Sequence, residues 1–434
     1  MNDSELYKSK KGTLDDALAM IRSNDILCLA GDCNEPLILA RNLHRIADRV
    51  ENVAVLKSRV GSFKFVTEPG MKGHLNTRGF FYGGGWGEGH KYGNTSLIPA
   101  DLADYATFVA EHKPCNVFAA SVTPMDEQGN FQVGLCMMWE PESYESILQQ
   151  PDHRVILEVN PNQVRVRGGM EINIKDVSCL YEVDEPIPRI PAMQVTDVED
   201  RIGANVAELV HDGDTIQLGI GSLPDAVARH LMDKKDLGLH TEMFTSTMGD
   251  MIRRGIINGE RKNFHRGEHI GSFAGGDLAL YRTMSENENV KIVRASWGVN
   301  PWTIMQNDNM VSINTILEMD LTGQICSESI GPRQISGSGG SFCFAYGALH
   351  SKGGRGILAF QSRSKKGDPK IRTMLTHGAA VTIPRNYADY IVTEYGIAHL
   401  RGRCVSERVH QLVAIAHPDD RAELLQEARK LNYI

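Results

Sequence analysis

Two glutamates stand where a chain could do chemistry. Glu242 lies in "LGLHTEMFTSTMGDMIRRG", Leu237 to Gly255. The stretch begins with strand-like alternation of Leu237, Leu239, Thr241 and Met243. It continues as a helix over "MGDMIRRG", with Thr245, Ser246 or Thr247 as candidate N-cap. Glu394, in "VTEYGIAHLRG" (Val392–Gly402), also stands at a predicted strand end. Ligand crevices in open α/β sheets form at strand ends, and a carboxylate there can serve as a nucleophile. It can equally cap a helix or pair with a surface cation. The two residues alone leave both readings open.

Glycine-rich stretches supply possible partners. In "LGIGSLP" (Leu218–Pro224), Gly219 and Gly221 fall between a strand and a helix. Such a turn brings backbone N–H groups close to a ligand and favours negative charge or a developing oxyanion. Pro224 occupies the third glycine position of a dinucleotide fingerprint, which argues against NAD-type binding. "ISGSGGSFCFAYGA" (Ile335–Ala348) reads as a backbone-lined ligand loop or a mobile lid. "FFYGGGWGEGHKYGN", with Gly83–Gly85 beside Trp86, reads as a pocket wall or a flexible hairpin. Lys365 and Lys366, in "LAFQSRSKKGDPK", could meet a phosphate or simply be solvated.

Other chemistries find no support. There is no GxSxG elbow, Walker loop, HExxH or Cys–His protease signature. "FHRGEH" (His265, His269) reads as a solvated loop rather than a metal site. The eight cysteines are scattered without a CxxC pair, which suggests buried thiols in a reducing compartment. The N-terminal stretch lacks a signal-peptide core, and no apolar run reaches the roughly 18 residues of a membrane span. A cytoplasmic protein is expected, with neither membrane nor nucleic acid as partner. A net charge of −8 without a basic run fits that expectation.

The elements that must position these residues read as α/β. With 434 residues, 41% of them hydrophobic, the chain can build more than one core. The acidic, Pro-rich "EVDEPIPRIPAM" (Glu182–Met193) is the linker candidate, giving domains 1–190 and 191–434. Each half opens alike. "NDILCLAGDCNEPLILARNL" and "DTIQLGIGSLPDAVARHL" both run from Asp through a short apolar strand and a Gly-containing turn into a helix. Pro36, Ala40, Arg41 and Leu43 match Pro224, Ala228, Arg229 and Leu231. Two similar α/β domains from an old duplication follow. Strands are expected at "NVAVLKS", "CNVFAASV", "RVILEVN" and "VSCLYEV" in the first half. In the second they are expected at "KIVRASW", "GILAFQS", "AAVTIP" and "YIVTEYG".

On the motifs "GIGSLPDAV", "DLGLHTEMFT", "MVSINTILEMDLTGQICSESIG", "QISGSGG", "SKGG" and "VTEYGIAHLRG", the chain resembles the class I CoA-transferases of the acetyl-CoA hydrolase/transferase family. The resemblance spans nearly the whole chain and is nearest to the 4-hydroxybutyrate and butyrate:acetate branch. It implies two related doubly wound α/β domains of the CoA-transferase fold with the active site between them, and a homo-oligomer. It implies CoA as a substrate, with no permanently bound cofactor and no metal.

The resemblance also assigns roles. The family nucleophile falls on Glu242, which would pass through a glutamyl-CoA thioester in a ping-pong transfer between an acyl-CoA and a small carboxylic acid. CoA contacts fall on Gly219, Ile220, Gly221, Ser222 and Leu223, and on Ser336, Gly340 and Lys366. The chain departs from the family at Gly339-Gly340-Ser341-Phe342-Cys343-Phe344, where Gln and Asp are usual in place of Ser341 and Cys343. It departs again at Thr245-Ser246-Thr247, where Ser-Asp-Gly often follows the phenylalanine. The acid is therefore open between a 4-hydroxybutyrate-like acid and a dicarboxylate such as itaconate or succinate. Acyl-CoA hydrolysis through the same glutamate is the alternative activity. A ligand-sensing module would instead have lost Glu242 and gained a DNA-binding segment.

Overall fold

The computed structural model describes residues 1–57, 68–83, 86–112, 115–191 and 193–434. The chain forms two compact units. The first comprises Met1–Ile190 with Gly271–Trp297, the second Pro191–Ile270 with Gly298–Ile434. A single cut at 190/191 would place Gly271–Trp297 in the second unit; its contacts place it in the first. The strand expected at "KIVRASW", observed as Val290–Ile292, therefore serves the first unit. Among the described residues, no helix is long and apolar enough to cross a membrane.

In the first unit the strands are β1 (Ile26–Leu29), β2 (Val53–Leu56), β3 (Leu75–Gly79), β4 (Thr95–Leu97), β5 (Val117–Val122), β6 (Arg154–Val159) and β7 (Cys179–Glu182). They form one sheet in the order β4-β3-β2-β1-β5-β6-β7, with every neighbour parallel. Both β5 and β6 are buried along their whole length. A parallel sheet covered on both faces needs continuous apolar runs rather than alternation, which is what these segments supply. After β1 the chain turns through Asp32–Asn34 into helix α1 (Leu37–Asn42). Gly84 and Gly85 of the expected pocket wall lie outside the described residues, and Trp86–Tyr92 is helical rather than a hairpin.

The second unit repeats the plan. Helix α2 (Asp197–Ala207) leads into β8 (Thr215–Leu218), followed by helix α3 (Ser222–His230), β9 (Gly238–Leu239) and helix α4 (Ser246–Arg253). Then come β10 (Met310–Thr315), helix α5 (Ser341–His350), β11 (Arg355–Ala359), β12 (Tyr390–Thr393) and β13 (Gly396–His399). The sheet order is β9-β8-β10-β11-β12-β13. Only the β12–β13 pair is antiparallel. Two expectations differ. "AAVTIP" forms only an isolated bridge from Ile383 to Ile325. The sheet's interior strand β10 comes from "MVSINT", which was not expected as a strand.

A buried ion pair marks the same place in both units. Asp25, leading β1, receives Arg154 from the start of β6 at 2.7 Å. Asp214, leading β8, receives Arg355 from the start of β11, also at 2.7 Å. Each pair reaches across one intervening strand, β5 or β10. Each aspartate also accepts a hydrogen bond from the backbone N–H three residues earlier, Arg22 or His211, at 2.6 Å. The repeat seen in the sequence thus includes a shared clamp that ties three strands together at their amino ends. The cysteines are mostly as expected: seven are buried, but Cys404 is exposed at the start of the helix Val405–Ile415.

Candidate active site in the second unit

The carboxyl ends of β9, β8, β10 and β11 lie side by side, because these neighbours are all parallel. Open α/β sheets place ligands at this edge. Glu242 stands there, three residues beyond β9. The backbone leading to it is pinned on two sides. His240 N–H donates to Ile216 O at 3.2 Å, and Thr241 N–H donates to Ile270 O at 2.9 Å. Beyond Glu242 the chain enters α4 through Thr245, the N-cap, whose hydroxyl accepts from Met248 N–H. Both sides of this stretch are buried, His240 as fully as Leu239 and Thr241, so alternation alone did not describe it.

Gly340 is brought to Glu242. Its N–H donates to Glu242 Oε2 at 2.9 Å across 98 residues of sequence. The carboxylate and Val299 Cγ1 occupy the space a Cβ on Gly340 would need. Glycine there lets the backbone approach the carboxylate directly. Ser341 opens α5, and Cys343 is buried within it. Ser336 sits in the preceding loop, its N–H donating to Glu328 O at 3.0 Å.

The turn after β8 is organised by Gly221, whose φ of 120° is a conformation few other residues adopt. Gly219 does not offer its N–H, which continues the β8–β10 ladder by donating to Ile313 O at 3.0 Å. The N–H groups of Ile220, Gly221, Ser222 and Leu223 find no acceptor among the described residues. Ile220 is exposed, while Leu223 is buried. Ile220, Gly221, Ser222 and Leu223 border a cleft of about 270 Å³ with Thr315, Ile316, Phe360, Glu199 and Lys370. A hydrogen bond from Thr247 to Asp225 at 2.9 Å links α3, behind this turn, to α4, behind Glu242.

Two of these cleft residues carry charge and were not singled out from sequence. Glu199 accepts from Ser222 Oγ and from Thr196, whose hydroxyl and N–H both bond it. Burial pushes its carboxyl up, but these hydrogen bonds and the charge of Lys365 outweigh burial and hold it below the usual range. The Thr196-x-x-Glu199 spacing is a capping-box signature that could have located it. Lys370 is half-buried, and burial lowers its ammonium against the pull of Glu394 and Glu199. Lys366 lies instead on an exposed turn, 364–368, and does not border the cleft. Glu394, the other strand-end carboxylate, is engaged by Ser362 N–H at 2.9 Å and Ser362 Oγ at 2.6 Å.

Behind Glu242 lies a buried basic cluster that no local motif announces. His240 donates from Nε2 to Gly298 O at 2.7 Å, and its Nδ1 faces Asn307 Nδ2 at 3.3 Å. Burial, with the charge of Lys262, holds its imidazole down at about 3. Lys262 donates to Leu239 O at 3.2 Å and Glu268 O at 2.8 Å, and burial lowers it to about 7. It thereby ties the end of β9 to the loop before His269. Its stem packs where a side chain on Gly238 would otherwise stand.

Comparison with known proteins identifies the family of the chain. Residues 276–428 match the acetyl-CoA hydrolase/transferase C-terminal domain. The succinyl-CoA:cyclohexane-1-carboxylate CoA transferase of Geobacter metallireducens is 35% identical, over 99% of this chain and 97% of its own. The 4-hydroxybutyrate coenzyme A transferase of Clostridium kluyveri is 36% identical, over 99% of this chain and 100% of its own. The crystal structure of RipA from Yersinia pestis superposes with a TM-score of 0.93 at 31% identity, covering 100% of both chains. The chain therefore belongs to the acetyl-CoA hydrolase/transferase family and is an enzyme of its CoA-transferase type.

Proposed function

We propose that the protein moves CoA between an acyl-CoA and a small carboxylic acid, with Glu242 as the covalent nucleophile. The observation that carries this reading is the Glu242 carboxylate held by Gly340 N–H at the carboxyl edge of a parallel sheet. The carboxylate attacks the thioester carbonyl and expels CoA thiolate, leaving an acyl-glutamyl anhydride. The thiolate attacks the glutamyl carbonyl and releases the first acid as its carboxylate, leaving glutamyl-CoA thioester. The second acid attacks that thioester and expels thiolate again. Attack of the thiolate on the new acyl carbonyl yields the second acyl-CoA and restores Glu242. No net proton is consumed, and a carboxylate suits the task because it is both nucleophile and leaving group. Gly340 N–H orients the resting carboxylate; the open N–H groups of Ile220 to Leu223 are donors for the oxygen that becomes charged on attack. The acid is 4-hydroxybutyrate-like or a dicarboxylate such as itaconate.

The test starts with protein incubated with acyl-CoA and no acceptor acid. A CoA mass adduct is expected on the peptide containing Glu242, and none on the peptide containing Glu394. Glu242→Gln keeps the shape, removes the charge, and should nearly abolish transfer. A panel of acids against acetyl-, butyryl- and succinyl-CoA then identifies the acceptor. Steady release of CoA without acceptor would favour hydrolysis through the same glutamate. An adduct on Glu394, or full transfer by Glu242→Gln, would overturn the assignment.

A further inference from the structure

The proposed transfer chemistry leaves Lys370, a cation of this edge, unused. Lys370 follows β11, anchored by its N–H to Ser362 O at 2.9 Å. Its side chain borders the cleft with Ile220, Ser222, Leu223 and Phe360. Its ammonium makes no hydrogen bond or ion pair with any described residue. The two carboxylates that attract it, Glu394 and Glu199, are bonded instead by Ser362, Ser222 and Thr196. An ammonium drawn partly out of water, with three N–H donors and no hydrogen bond to a described residue, is stabilised by whatever anion enters beside it.

Distance along the sheet edge indicates which part of a ligand would arrive there. The cleft that Lys370 borders is lined by Ala359, Phe360 and Gln361 at the end of β11, three strand spacings from β9, beyond which Glu242 stands. At about 4.8 Å each, those steps span roughly 14 Å. The pantetheine arm, about thirteen bonds from sulfur to the first phosphorus, extends to roughly 16 Å. A thioester at Glu242 thus brings that phosphate to the cleft.

We propose that Lys370 binds a phosphate oxygen at the 4′ end of the pantetheine arm of CoA. The role is positioning: Lys370 touches the carrier, not the reacting bonds. The inference rests on the CoA-transfer reading above. Sequence resemblance puts the cation for CoA at Lys366; the cleft selects a lysine four positions later.

The experiment compares acyl-CoA, acyl-4′-phosphopantetheine and acyl-pantetheine as donors for wild-type protein and Lys370→Met. The expected result is a roughly ten- to hundredfold rise in KM for the two phosphorylated donors. The unphosphorylated donor should show no change, and kcat should be little altered. Lys370→Arg should recover most of the loss, which a merely unfolded variant could not do. Calorimetric titration with free CoA should show the same weakening without any turnover. Equal KM values for wild type and Lys370→Met with all three donors would overturn the proposal. So would a loss confined to acyl-CoA, which would move the contact to the 3′-phosphate, or a phosphate-dependent loss in Lys366→Met alone. Wild-type protein that binds CoA through Lys370 yet transfers nothing would sink the transfer reading and leave the binding site standing.

Discussion

Gly340 has a backbone conformation that any residue can adopt, with φ −94° and ψ 6°, so its glycine is required by its neighbours rather than by its own torsions. The neighbours are the Glu242 carboxylate and the buried Val299 Cγ1, which together fill the volume of a Cβ. Gly340→Ala should therefore displace the carboxylate and press on Val299. Misplacement by about 1 Å can cost on the order of 10²-fold in rate. A fall of that size in kcat is expected, with a lower melting temperature but a folded protein, since overpacking against Val299 costs about 1–3 kcal/mol. Retained kcat would show that Glu242 has other productive positions. The helix start just beyond Glu242 was legible from its N-cap threonine. The contact with Gly340 was not, since local spacing carries no information about a partner 98 residues away. Lys370 escaped for a related reason. Three lysines crowd Lys365–Lys370, and only the course of the turn decides which one borders the cleft.

At the scale of elements, the opening helix–strand–turn–helix of each half was readable from Pro, Gly and leading Asp, and both turns occur where expected. What could not be read is why Asp leads each strand. Asp25 and Asp214 are paired with arginines from strands two places away, and pairing across a parallel sheet depends on strand order. The side chains of Asp214 and Arg355 are only 5% and 13% exposed. Removing one partner of a buried pair strands the other charge and typically costs about 3–5 kcal/mol. Asp214→Ala should lower the denaturant midpoint accordingly, and Asp25→Ala should do the same for the first unit. The surface pair Lys352–Asp308, with side chains 87% and 37% exposed, serves as contrast. Asp308→Ala should change stability by less than about 1 kcal/mol. Equal effects from Asp214→Ala and Asp308→Ala would remove the clamp from the account of the fold. The missed strand β10 belongs at this scale too: "MVSINT" mixes polar and apolar residues, yet only Thr315 of it is exposed, because neighbours cover both faces.

Across the whole molecule, composition announced a chain able to build large cores and the strand–turn–helix motifs announced its α/β class, but neither announced the ionisable groups those cores enclose. His240 and His269 look like ordinary solvated histidines in sequence; burial, with the Lys262 charge, holds them at about 3 and about 4. Their folded values lie below the ordinary 6.5, so the unfolded chain binds more protons between those limits. The stability they contribute is fully present above about pH 6.5 and is lost as pH falls toward 4 and then 3. Glu158 works in the opposite sense. Burial raises it to about 7 against hydrogen bonds from Tyr181, Ile38 and Leu39, so its contribution is full below about 4.5 and lost as pH rises through 7. The total pH profile mixes these terms, and a variant must separate them. His240 faces Lys262 and His265 as its charged or titratable neighbours, and neither pairs with it as an anion would. His240→Asn removes its titration while leaving a side chain able to hydrogen-bond. Going from about pH 7.5 to about pH 5.5, wild-type protein should lose about 1.4 kcal/mol more stability than the variant, measured by denaturant titration at each pH. Parallel pH profiles for the two proteins would mean that His240 takes up its proton in the folded state, with its Nδ1–H donating to Asn307 Oδ1 once that amide turns over.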